Sequence, residues 1–221
     1  MVKNTWGGRR PGAGAKPKPG SGVSHLQRED PRGRPVLVTI RLRAGLPRLR
    51  NKATCEHLRD LFAKSCDRLG FRLCHYSVQN DHLHFIVEGE DGVAVSRGTQ
   101  GMLIRIARGL NRFWGRRGKV YSDRYDDRVL RTDAQLRHAL AFVLNNARRH
   151  GLKLPWPVDI HSSAPWFDGW RPHRRYDHLV PGVTKPIAAP LPREHWKTWK
   201  LHKRISPDEI PDPMGPRVSH P

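Results

Sequence analysis

The stretch from Phe71 to Glu88, FRLCHYSVQNDHLHFIVE, constrains the fold more than any other part of the chain. Aromatic and β-branched residues flank the polar pair Asn80-Asp81, so it reads as two strands meeting at a turn. Side chains along a strand alternate between faces, which points His82 and His84 the same way and lets two imidazoles converge on one ion. Leu83, facing the opposite side, anchors that strand in a core. A chain with 13 histidines in 221 residues produces His-x-His by chance about 0.7 times. The triplet therefore gains meaning only from its surroundings.

Those surroundings are periodic. In Pro35 to Arg43, PVLVTIRLR, Val36, Val38, Ile40 and Leu42 share one face while Thr39, Arg41 and Arg43 lie opposite, the alternation of a half-buried strand. After the turn at Gly45-Leu46-Pro47, Cys55, Leu58, Phe62, Cys66 and Leu69 recur at helical spacing, with Gly70 placed to end a helix over 51–69. Gly89 to Gly92 breaks the chain before a second helix from Ser96 to Trp114, where Leu103, Ile106, Leu110 and Phe113 form one face. Arg105, Arg108 and Arg112 form another, either a solvated stripe or a set of phosphate contacts. Lys119 to Leu130 reads as a fourth strand with Tyr121, Tyr125 and Val129 on one side. Thr132 and Gln135 make a capping-box pattern, and Leu136, Leu140, Val143 and Leu144 carry a helix to His150, closed by Gly151. The order predicts an α+β fold, a ferredoxin-like β-α-β-β-α-β antiparallel sheet with an extra C-terminal helix. In that order the strand of His82 and His84 is central. The pair then lies either under the helices or on the open face, where the last helix covers it.

Charge narrows the function. Lys and Arg number 41 against 20 Asp and Glu, a formal charge of +21, the footprint of a polyanion partner, nucleic acid first. An anionic membrane is the competitor, but the chain has no apolar run of 18 residues, no signal-peptide core after Met1 and no basic helix with a broad aromatic face. A soluble cytoplasmic protein is expected. Cys55, Cys66 and Cys74 form no C-x-x-C and read as small buried thiols in a reducing compartment. Residues 1–34, rich in Gly, Pro, Lys and Arg, form an expected flexible basic arm. Its Gly-Arg-Arg-Pro-Gly run around Arg9 and Arg10 resembles an AT-hook for a narrow minor groove, with a plain solvating tail as the alternative. Residues 35–151 hold the globular core. Residues 152–221, with many prolines and Trp156, Trp166, Trp170, Trp196 and Trp199, are expected to pack on it as irregular segments.

From Val36 to Gly151 the chain resembles the single-tyrosine HUH transposases of insertion sequences, most of all the REP-associated tyrosine transposases. The likeness rests on FRLCHYSVQNDHLHFIVE, on GMLIRIARGLNRFWGRRGKVYSDRYDDRVLRT and on ALAFVLNNARRHG, in that order. The family has the ferredoxin-like sheet, in agreement with the element order read from periodicity. The resemblance implies a nickase and strand transferase of DNA transposition, acting on single-stranded DNA beside a hairpin. A divalent cation, Mg or Mn, held by two neutral imidazoles and one amide or carboxylate oxygen, polarises the scissile phosphate. A tyrosine hydroxyl then attacks to give a 5′-phosphotyrosine and a free 3′-hydroxyl. Carried onto this chain, His82 and His84 are ligands, and Asn146 is the amide four residues beyond the nucleophile on the same helix face. A homodimer is compatible with the family.

The departure is at the nucleophile. Phe142 occupies the tyrosine's position, and a ring without oxygen forms no phosphoester. Three explanations stay open: a former transposase kept as a DNA-binding protein; Tyr125 or Tyr121 as a relocated nucleophile; or a metal-activated water or shifted alignment. A catalytically silent regulator or architectural protein on duplex DNA is the rival reading. An RNA-binding sheet of RRM type stands further off, because its strand aromatics are missing.

Overall fold

The computed structural model describes residues 28–65, 67–68, 70–172, 174–180 and 205–212. Arg9, Arg10, Cys66, Trp196 and Trp199 lie outside the described residues. Five strands, β1 (Val36–Arg41), β2 (Asp67–Arg68), β3 (Phe71–Val78), β4 (His82–Gly89) and β5 (Asp126–Val129), form one sheet in the order β2-β3-β4-β1-β5, every pairing antiparallel. Apart from the two-residue β2, this is the ferredoxin-like arrangement expected from the sequence, with β4 and β1 in the middle. The helices are α1 (Lys52–Ala63), α2 (Gly92–Phe113), α3 (Asp133–Leu144) and the single turn α4 (Asn146–Arg149). None of the described helices is long and apolar enough to cross a membrane.

Both faces of the sheet are covered. Val36, Val38 and Ile40 of β1 and Leu83, Phe85 and Val87 of β4 pack with Leu58 and Phe62 of α1 and with Leu103, Ile106 and Leu110 of α2. On the opposite face, Leu37 and Ile86 pack with Leu136, Leu140 and Val143 of α3. Burying each such side chain stabilises the fold by roughly 1.5–3 kcal/mol, which is why strict alternation on β1 fixes its register. Each long helix begins on a side-chain cap: Asn51 accepts from the Thr54 amide at 3.0 Å, Asp91 from Ala94 at 2.7 Å, and Thr132 from Gln135 at 3.2 Å.

Four boundaries differ from expectation. The second helix begins at Gly92, four residues before Ser96, because the Asp91 side chain caps it there. The first helix ends at Ala63, six residues early, because the Ser65 hydroxyl turns back to the Leu61 carbonyl and Arg105 donates to the Lys64 carbonyl. Gly70, at φ +73°, instead forms the tight turn between β2 and β3. The fourth expected strand shrinks to Asp126–Val129, with Tyr121 making only an isolated bridge to Leu42 while its hydroxyl donates to the Leu103 carbonyl at 2.9 Å. The helix expected to run to His150 breaks at Asn145, whose side-chain amide donates to the carbonyls of Ser206 and Glu209.

Residues beyond Leu152 join the second core rather than forming a unit of their own. Val158, Ala164, Phe167, Trp170 and Ile205 are buried against α3 and the sheet. Ser162 bridges Ser77, the Val78 amide donates to the His161 carbonyl at 3.0 Å, and the Ser163 amide donates to Tyr76 at 3.0 Å, so this segment occupies the outer edge of β3. A bidentate pair, Arg50 Nη1 and Nη2 to the Asp159 carboxylate at 2.8 and 2.7 Å, locks it in place.

Candidate functional site

The register of β1 against β4 sets Thr39 opposite His84 and Arg41 opposite His82, so the polar face of β1 and the two histidines share the side of the sheet that α3 covers. Their rings stand 4.8 Å apart at 81°. Each is oriented through Nδ1: His84 pairs with the Thr39 hydroxyl at 2.9 Å, and His82 with the Asp81 carboxylate at 2.7 Å. A carboxylate only accepts, so His82 carries its proton on Nδ1 and presents a bare Nε2. A hydrogen-bonded Nδ1 and a free Nε2 is the arrangement that second-shell partners impose on metal-binding histidines.

Burial pushes the pKa of His84 well below the ordinary imidazole value, helped by the nearby His82, His150, Arg41 and Arg149. His82 is lowered chiefly by burial, against the opposing pull of Asp81, and Asp81 is held below the usual carboxylate range by its bond to His82. Both imidazoles are therefore neutral near pH 7, with lone pairs free to coordinate or accept.

From the other side, α3 and α4 bring three residues at four-residue steps. Phe142 lies edge-on to His84 at 4.9 Å between centroids, and His150 lies 5.3 Å from His82. Asn146, midway between them in sequence, is fully buried, and among the described residues neither atom of its amide has a hydrogen-bond partner, nor does the buried Nε2 of His84. Buried polar atoms without partners are costly and uncommon in folded proteins, so each of these atoms has capacity to accept or donate a further bond. Among the described residues no group of three or more His, Cys, Asp and Glu converges on a metal-sized point. A ligand set here depends on the amide as well as the imidazoles.

The remaining sequence candidates separate. Tyr125 belongs to the core under α1 and α2, on the sheet face opposite the histidines, with the Arg28 guanidinium 3.6 Å above its ring. Tyr121 packs against the same core, and burial raises its pKa. Neither is brought to the imidazoles, so the relocated nucleophile expected at Tyr125 has no geometric support. Arg105 caps the end of α1, donating to the Lys64 carbonyl and to the Ser65 hydroxyl at 2.9 Å, and this removes it from the expected phosphate stripe. Arg108 and Arg112 are exposed. Cys55 and Cys74 are buried free thiols, and burial pushes the Cys55 thiol up to about 12, away from reactivity.

Sequence reasoning passed over two residues. His150 stands eight positions after Phe142, two steps of the stripe that singled out Asn146. Arg149 holds its guanidinium 5.5 Å over the Phe142 ring. The spacing pointed to the first; nothing in the sequence pointed to the second, because the break at Asn145 re-aims the last turn.

Residues 40–129 match the family described as transposase IS200 like, a span that takes in the last two residues of β1, both histidines and Tyr125 and stops before α3. No curated protein matches the chain. A solved structure of the REP-associated tyrosine transposase bound to a REP hairpin is similar with a TM-score of 0.54 and 18% identity, covering 76% of this chain and 99% of that one.

Proposed function

From the match of residues 40–129 to the IS200-like transposase family, we propose a DNA-binding protein of transposase type that engages single-stranded DNA beside a hairpin without a covalent tyrosine step. The observation that carries this reading is the contact of Phe142 with His84 at 4.9 Å. A ring lacking an oxygen stands at the position where the family resemblance calls for a tyrosine hydroxyl. The hairpin held by the structurally similar transposase supports the choice of DNA form.

The residues fit a divalent cation, Mg or Mn. His82 and His84 would hold it through Nε2 and Asn146 through its amide oxygen, and when bound it would supply Lewis-acid polarisation of a phosphodiester. Asp81 keeps His82 in the required tautomer, and Thr39 holds the His84 ring in orientation. Burial keeps them uncharged, so they bind without first losing a proton. The formal charge of +21 draws the polyanion in, and the exposed Arg108 and Arg112, with Arg9 and Arg10 outside the described residues, are candidate phosphate contacts.

The test is a labelled DNA hairpin with a single-stranded flank, incubated with Mn and either wild type or Phe142→Tyr, then run on a denaturing gel. Wild type binds without forming an adduct, and Phe142→Tyr forms one. A covalent adduct in wild type overturns the loss of the tyrosine step, and failure of wild type to bind the hairpin overturns the DNA reading. The charge surplus also favours a second reading, a regulator on duplex DNA. Absence of an adduct in both proteins, with duplex affinity unchanged in His82→Ala, selects it.

A further inference from the structure

Arg148 and Arg149 are adjacent on α4 but differently engaged. Arg148 donates to the Pro157 carbonyl at 2.9 Å and faces Asp208 at 3.6 Å. Arg149 is half-buried over the face of Phe142 and, among the described residues, has neither a carboxylate partner nor a hydrogen-bond acceptor. Phe142 thus touches His84 at 4.9 Å and Arg149 at 5.5 Å, joining the imidazole pair to a guanidinium. The acidic group at this end of the site, Asp81, is engaged by His82 at 2.7 Å and lies 3.8 Å from Arg41. The local field is therefore positive, and the fork of Arg149 is left with open donors.

We propose that Arg149, held over the Phe142 ring, is the grip for a phosphodiester of single-stranded DNA, so that the ring in the nucleophile's position serves as a platform for binding. This rests on the DNA-binding reading above and deepens it. A guanidinium held over an aromatic face by cation–π attraction keeps its donors available for two phosphate oxygens and loses less freedom when they arrive than an unsupported side chain does. The His84 ring, whose buried Nε2 is unpartnered among the described residues, adds a polar group beside Phe142 without adding negative charge. Phenylalanine suits a platform as well as tyrosine does, because the stacking uses the π face and needs no hydroxyl.

The experiment measures fluorescence anisotropy of the full chain with a labelled hairpin carrying a single-stranded flank, across a series of salt concentrations. Arg149→Met weakens binding about tenfold and lowers the slope of log affinity against log salt by about 0.7, the loss of one single-strand phosphate contact. Arg149→Lys keeps the slope but binds several-fold more weakly, because a point charge replaces the fork. Phe142→Leu also keeps the slope and weakens binding about threefold, through loss of the platform. Arg149→Gln replaces Arg149→Met should the latter fail to fold, as judged by its melting transition. A slope and affinity equal to wild type in the Arg149 variants overturn the grip while leaving hairpin binding intact. A wild type that does not bind the hairpin overturns the DNA reading and the grip with it. A purely structural role for Arg149 lowers the melting temperature without moving the salt slope, and that outcome also refutes the grip.

Discussion

Replacing Arg50 with Met tests whether the segment after Leu152 is an integral part of the fold. Arg50 is 9% exposed in its side chain and Asp159 1%, and the guanidinium makes two bonds to the carboxylate and one to the Val78 carbonyl at 2.8 Å. Arg50→Met leaves a buried carboxylate whose remaining described donor is the His161 amide at 2.9 Å. Breaking one side of a buried pair costs about 3–5 kcal/mol, and losing a backbone acceptor's partner adds about 1 kcal/mol. The retained His161 bond pulls the total toward about 4 kcal/mol, which for a chain of this size lowers Tm by roughly 10 °C. Urea denaturation followed by tryptophan fluorescence, which reports on the buried Trp170, together with calorimetry, measures both quantities. Because the penalty comes from the stranded charge, Arg50→Met/Asp159→Asn recovers about 2 kcal/mol relative to the sum of the single changes. A loss below about 1 kcal/mol in Arg50→Met, or strict additivity in the double variant, would refute the reasoning.

Other outcomes follow from the same structure. Thr39→Val removes the partner of His84 Nδ1 and lowers Mn affinity by roughly ten- to a hundredfold in a calorimetric titration; unchanged affinity removes His84 from the ligand set. Gly98→Ala places a methyl 2.2 Å from Cγ of the buried Phe71, so overpacking outweighs the gain in helix propensity and destabilises by about 2 kcal/mol; a neutral or stabilising result contradicts that packing. Burial lowers the pKa of His75 from 6.5 to about 4, so between those values the unfolded chain binds a proton that the folded one refuses. Its contribution is intact above pH 6.5, falls by about 3 kcal/mol as pH drops to about 4, and levels off below. Comparing pH-stability curves of wild type and His75→Asn isolates it, and identical slopes through that window exclude the effect.

What the sequence made legible was whatever depends on local period and caps. The alternation of PVLVTIRLR separates the two faces of β1, and the register against β4 then sets Thr39 and Arg41 beside the histidines. Thr132 starts α3 where its side chain and Gln135 say it should. What remained hidden depends on partners distant in sequence. The early stop of α1 is set by Arg105, about forty positions away, and the break at Asn145 by carbonyls of residues 206 and 209. Tyr125 looked available because strand parity gives it a face but does not say which side of the sheet that face meets. Its packing within the core under α1 and α2 shows that it meets that side.

The hydrogen bonds from residues 161–163 to 76–78 carry a consequence for handling this protein. β3 ends the long-stranded part of the sheet, and only its first two residues pair with β2. A fragment trimmed at Gly151 would bare the amides and carbonyls of Tyr76 to Val78 that residues 161–163 now engage. Such an edge invites strand-on-strand stacking between molecules, so the trimmed fragment will polymerise where the parent chain stays dispersed. The tryptophan-rich stretch thus acts as a hem on the fabric, keeping the sheet from unravelling into fibres.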